Sequence, residues 1–154
     1  MTVSTALAPS QHERRTPTPV EESDNDAGVL NPVVLEAVMG DLCRFRDELG
    51  PDHIKVADTW NSLGLIRLHM QHNGPAAIKC HQEALKIYQK NGAPALLQSV
   101  TLSDLAGCYE RTQEAEKALQ LYQDANELLL VSETSPSHRV VQSIARAIAR
   151  LKRE

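Results

Sequence analysis

The chain repeats itself, and this constrains its fold more than any other feature. Trp60-x2-Leu63-Gly64 recurs 42 residues later as Leu102-x2-Leu105-Ala106, and the second copy adds Tyr109 where the first has Arg67. Ala77-x3-His81-x2-Ala84 recurs 41 residues later as Ala118-x3-Tyr122-x2-Ala125. The one-residue difference falls in the longer turn around His72 to Pro75. A third half-copy follows, with Pro51-Asp52-His53 returning as Pro136-Ser137-His138 after about two periods. The small residues at matched positions let antiparallel helices approach closely, and the large ones fill the space between hairpins. Each hairpin then leaves one face bare, and its neighbour must stack on it.

The spacing of apolar residues places the helices. Val34, Leu35, Val38, Met39, Leu42, Phe45 and Leu49 recur at three- and four-residue intervals, the stripe of an amphipathic helix. Asn31 is a candidate cap and Pro32 suits the first turn; Gly50-Pro51 ends the helix. The same reasoning predicts helices over about 54–70, 76–90, 96–111, 114–131 and 138–153. No stretch alternates with period two, so no strand is assigned. Only 3% of residues are aromatic, and the core must be built from Leu, Ile, Val and Ala. The expected fold is all-α: a short right-handed solenoid of antiparallel helix pairs over residues 33–154, with about six helices. Its first and last helices are half-repeats that close the ends.

Residues 1–32 have a different texture. They hold Pro9, Pro17, Pro19 and Pro32 and the acidic cluster Glu21, Glu22, Asp24 and Asp26. Such a segment buries too little apolar surface to offset its ordering entropy, and it is expected to be a disordered Pro/Ser/Thr-rich acidic tail. Thr16-Pro17 and Thr18-Pro19 have the form of proline-directed phosphorylation sites. The overall charge of −4 is mild, but Arg139, Arg146, Arg150, Lys152 and Arg153 make the C-terminal end basic. Cys43, Cys80 and Cys108 are an odd set without close spacing, unlike a secreted disulfide framework. No apolar run is long enough to span a membrane. The N-terminus lacks the charged flank and apolar stretch of a secretory signal. A cytoplasmic protein is expected.

With these residues in view, the chain resembles a known family. Trp60-x2-Leu63-Gly64 and Ala118-x3-Tyr122 look like the tetratricopeptide repeat. The 42-residue period, and Leu49-Gly50-Pro51-Asp52-His53 ahead of Val56-Ala57, look like the kinesin-light-chain type of that repeat. The first copy departs from the pattern at Arg67 and His81, where the family usually has large apolar or aromatic residues. The resemblance implies a concave groove, lined by the first helix of each hairpin, that binds peptides or partner helices.

The groove residues expected on this basis are Asn61, Leu65 and His69 in the first repeat, and Ser103, Gly107, Glu110 and Arg111 in the second. Arg146, Arg150 and Arg153 share one face of the last helix. Asn61 has both a donor and an acceptor for a partner's backbone, or is a solvated helix residue. Gly107 reflects either close packing or room for a ligand. The arginine face suits acidic segments of a partner, because guanidinium grips carboxylates bidentately. A solvated end cap explains it as well. The acidic tail folding back onto it is a further possibility.

Other chemistries fit less well. His69, His72, Cys80 and His81 suggest a metal, but adjacent helical residues such as Cys80 and His81 diverge by about 100° and do not converge on one ion. No metal or cofactor is expected. The three cysteines fall inside helices, away from the first-turn positions that activate a thiol, and no glycine cluster cradles phosphate. An enzyme is not expected. Nucleic-acid or membrane binding through the last helix is opposed by the acidic body. The sequence therefore predicts a non-catalytic adaptor or scaffold that binds a protein or peptide partner. The rivals are a self-stacking assembly subunit, forming a homo-oligomer through the solenoid ends, and a weak nucleic-acid or membrane binder.

Overall fold

A computed structural model describes residues 32–153. The expected tail lies outside the described residues, as do its Thr-Pro sites and the Asn31 cap. Only Pro32 is included, and it opens the first helix rather than closing the tail. Six helices follow in order: α1 (Pro32–Leu49), α2 (Ile54–His69), α3 (Gly74–Lys90), α4 (Ala95–Arg111), α5 (Ala115–Val131) and α6 (Arg139–Leu151). No strand occurs among the described residues, and the expected helices are found within two residues at every boundary.

Local chemistry starts and stops each element. His53 and His138, the recurring histidines of the two Pro-x-His turns, are both N-caps. Their Nδ1 atoms accept the Lys55 and Val140 backbone N–H groups at 3.2 and 3.3 Å. Asn73 caps α3 through its side-chain oxygen and Pro75 sits in the first turn. The stops recur as well. Gly50, Gly92 and Glu133 share one place in the repeat, His72 and Gln113 another, and all five are left-handed. After α3, α4 and α5 the next residue's N–H reaches back five residues, from Ala93 to Tyr88, Glu114 to Tyr109 and Thr134 to Leu129. This is the Schellman arrangement, and it satisfies carbonyls that the helix end would leave bare.

Packing follows the repeat. α2 pairs with α3 and α4 with α5, and α1 and α6 close the two ends against α2 and α5. Ala77, Ala84, Ala106, Ala118 and Ala125 are fully buried at the crossings, as their size requires. One core cluster joins α1, α2 and α3 around Val56, Ala57, Leu63 and Tyr88, with Trp60 packed on it. A second joins α4, α5 and α6 around Tyr122, Leu129 and Ile144. Leu68, Ala77 and Cys108 link the two. The even-numbered helices touch one another, α2 with α4 and α4 with α6, whereas the odd-numbered helices do not touch. The even helices therefore form the crowded inner layer of the stack and the odd helices the splayed outer layer. The architecture is an all-α solenoid of stacked helix pairs.

Candidate partner-binding face

The inner layer carries the residues expected to line the groove, and several of them are already engaged with one another. Asn61 is half-buried on α2, with its Oδ1 2.6 Å from His81 Nδ1. That contact makes Nδ1–H the donor and leaves His81 Nε2 buried without a partner. A histidine fully buried in this way resists protonation, and burial, aided by the charge of His69, lowers its pKa to about 4. The His81 ring fills the space above Gly64, where a Cβ would lie 2.6 Å from Cε1 and Nε2. Tyr122 holds the matching place in the second repeat. His81 thus does the packing that the repeat assigns to a large ring.

Across the inner layer, α4 presents Asp104, which sequence reasoning passed over. Burial raises its carboxyl to about 6, against the favourable influence of a hydrogen bond from Asn61 and the charge of His69. Asn61 therefore stands between α3 and α4, held by His81 on one side and turned to Asp104 on the other. The signal for Asp104 was its place beside Ser103, one step off the expected groove stripe. Leu65 is exposed on α2, and His69 is exposed near its end.

Further along α4, Glu110 is doubly used. Tyr122 Oη donates to its Oε1 at 2.7 Å, and Arg150 on α6 donates to its Oε2 at 2.6 Å. Arg150 is thus paired with Glu110, while its side chain stays 57% exposed. Arg111 turns to His72, 2.9 Å from Nδ1. Arg146 and Arg153 are exposed and have no ion-pair partner among the described residues. Ser103 is half-buried beside Asp104.

Close packing does not account for Gly107. A Cβ there would meet only the Tyr122 hydroxyl at 3.9 Å, an ordinary contact. Glycine inside a helix costs roughly 1 kcal/mol against alanine, and here no neighbour requires it. The contrast with Gly64 separates a glycine required by packing from one that leaves the inner face open.

The thiols are not poised for chemistry. Burial raises the Cys80 pKa, partly offset by Arg67, and pushes Cys108 up to about 12, with Asp104 adding to the effect. Among the described residues no group of three His, Cys, Asp or Glu is placed to hold a metal. No helix among them is long and apolar enough to cross a membrane.

Residues 55–129 match the sequence model of the tetratricopeptide repeat family. They span α2 to α5, the two complete hairpins. This segment is similar to the tetratricopeptide repeat. Such repeats generally mediate protein–protein interaction and are typically non-catalytic. No curated protein matches the chain.

Proposed function

We propose that this tetratricopeptide-repeat chain is a non-catalytic adaptor whose inner face, on α2, α4 and α6, binds a peptide or helix of a partner protein. The observation that carries the reading is Gly107, a mid-helix glycine on the inner layer that no packing contact demands. Around it stand the exposed Leu65 and His69 and the half-buried Ser103 and Asp104. Arg111, Arg146 and Arg153 extend the same surface toward the C-terminal end. Asn61 and Glu110 act mainly by fixing their neighbours, through His81 and through Tyr122 and Arg150. The 42-residue period and the paired histidine caps support the kinesin-light-chain type of repeat. Unpaired, buried Cys80 and Cys108 suit a cytoplasmic setting.

The test is selection of a randomised twelve-residue peptide library on the immobilised full chain. The native chain and Leu65→Arg/Gly107→Arg are run side by side, with circular dichroism confirming that both are helical. Peptides retained by the native chain and lost by the variant support the reading. Peptides retained equally by both, or none at all, contradict it.

A specific observation favours a second reading, self-association of chains through exposed apolar residues. Leu130 and Val131, at the end of α5, are 64% and 77% exposed. Sedimentation would show a dimer or larger species dispersed by Leu130→Lys/Val131→Lys if these residues associate.

A further inference from the structure

The inner-face acids differ in how they are satisfied. Asp58 accepts the Tyr88 hydroxyl at 2.5 Å, and Glu110 accepts both Tyr122 and Arg150. Asp104 has no ion-pair partner among the described residues; it is near the neutral amide of Asn61, the exposed His69, Cys108 and Tyr122. The cation nearest in sequence, Arg111, is turned away to His72. Gly107, one turn beyond Asp104 on α4, leaves the backbone beside it open. A half-buried carboxylate lacking a cation, next to helix surface stripped of side chain, is complementary to a positive group arriving from outside.

The same end of the inner face continues into a cavity of about 240 Å³ between α1 and α2, whose lining includes Asp41, Phe45, Asp58 and Ser62. Its lining also includes Lys55, which with Arg44 already covers the Phe45 ring, and Asp41 is paired with Arg44, so this cavity is served by the chain's own cations. Arg146 on α6 and Arg153 in the turn after it, which have no ion-pair partner among the described residues, lie at the opposite end. On the inner face α6 carries Arg139, Arg146 and Arg150 and no acid, whereas α4 carries Asp104, Glu110 and Arg111.

Resting on the reading of the inner face as the binding surface, we propose that its occupant is a basic peptide segment of a partner protein. A lysine or arginine of that segment is seated on Asp104, and its main chain passes over Gly107. This departs from the acidic partner that the arginine-rich last helix suggests from sequence. Arg150 already has a carboxylate partner in Glu110, whereas Asp104 has no cation among the described residues. Asn61 is a positioning residue: held by His81, it sets the orientation of the groups around Asp104. The raised pKa of Asp104, which a neighbouring cation would reverse, agrees with the match.

The peptides selected on the full chain provide the probe. Their binding is titrated against the native chain, Asp104→Asn, Gly107→Ala and Arg146→Glu at low and high salt. The expected result is enrichment in Lys or Arg and affinity that falls with salt. A tenfold or greater loss is expected with Asp104→Asn, a severalfold loss with Gly107→Ala, and no loss with Arg146→Glu. Gly107→Ala is expected to unfold at higher urea than the native chain, which separates lost binding from lost fold. Selected peptides rich in Asp or Glu, weakened by Arg146→Glu and indifferent to Asp104→Asn, would overturn this inference while leaving the inner face as the binding surface. Peptides indifferent to the Leu65→Arg/Gly107→Arg block would instead overturn the reading on which it rests.

Discussion

His81 Nδ1 lies 2.6 Å from Asn61 Oδ1, and this one contact ties the outer helix α3 to the inner face of α2. It places a polar ring where the second repeat has Tyr122, and it decides which nitrogen of His81 carries the proton. The ring is held against Gly64 with no space for a Cβ. Gly64→Ala should therefore destabilise the chain by about 2–3 kcal/mol through overpacking, despite alanine's better helix propensity. Urea denaturation followed by circular dichroism checks this. Gly107→Ala, at the open glycine, should raise stability by up to about 1 kcal/mol in the same assay.

His81 and Asp104 make opposite demands on pH. His81 is depressed to about 4, so the unfolded chain binds its proton first. Its contribution is complete above the unfolded value of 6.5 and is lost as pH falls toward 4. Asp104 is raised to about 6, so the folded chain binds its proton first. Its penalty is present at neutral pH and is relieved as pH falls from about 6 toward 3.8. Each shift corresponds to about 3 kcal/mol, so the two effects nearly cancel between pH 6 and 4. His69 acts on both groups, and Asn61 and Cys108 lie beside Asp104. Asp104→Asn should be the more stable protein at pH 7 and should lose stability with acid more steeply than the native chain. Urea midpoints across pH 4 to 7 test the difference in slope.

Glu110 is worth more than its ion pair. Tyr122 is 7% exposed, and its hydroxyl relies on Glu110, whereas Arg150 is 57% exposed at the side chain. Glu110→Ala leaves a buried hydroxyl without its acceptor and should cost about 1–3 kcal/mol. Arg150→Ala should cost less than about 1 kcal/mol, as exposed ion pairs do. Measured together with the double variant, the two identify the tyrosine contact as the dominant one.

The helix stops offer a gain. Glu133 is held at φ 55°, at the place in the repeat where Gly50 and Gly92 are glycines. Glu133→Gly removes the left-handed strain at the cost of some unfolded-state entropy. It should add about 0.5–1 kcal/mol, read as a higher thermal midpoint.

Much of this was legible in the sequence, for identifiable reasons. The recurrence of Trp60, Leu63 and Gly64 as Leu102, Leu105 and Ala106 placed the hairpins, because close crossings require small residues at fixed intervals. The repeated Pro-x-His marked the third half-copy, although not that the imidazoles themselves cap α2 and α6. The site was less legible because side-chain partners come from other helices. Arg150 reads as a free cation until Glu110, 40 residues away in sequence, is seen to hold it. Asn61 reads as a free amide until His81 takes its oxygen. Asp104 escaped notice because a lone aspartate on a helix reads as a solvated charge, and only the stacking of α2 against α4 half-buries it.

The most direct test of the central claim is amide hydrogen exchange on the full chain with and without a saturating library-selected peptide. Binding at the inner face predicts added protection concentrated in α2 and α4, with α3 and α5 little changed. Protection confined to α1, to the end of α5 around Leu130, or to the outer helices would contradict the account.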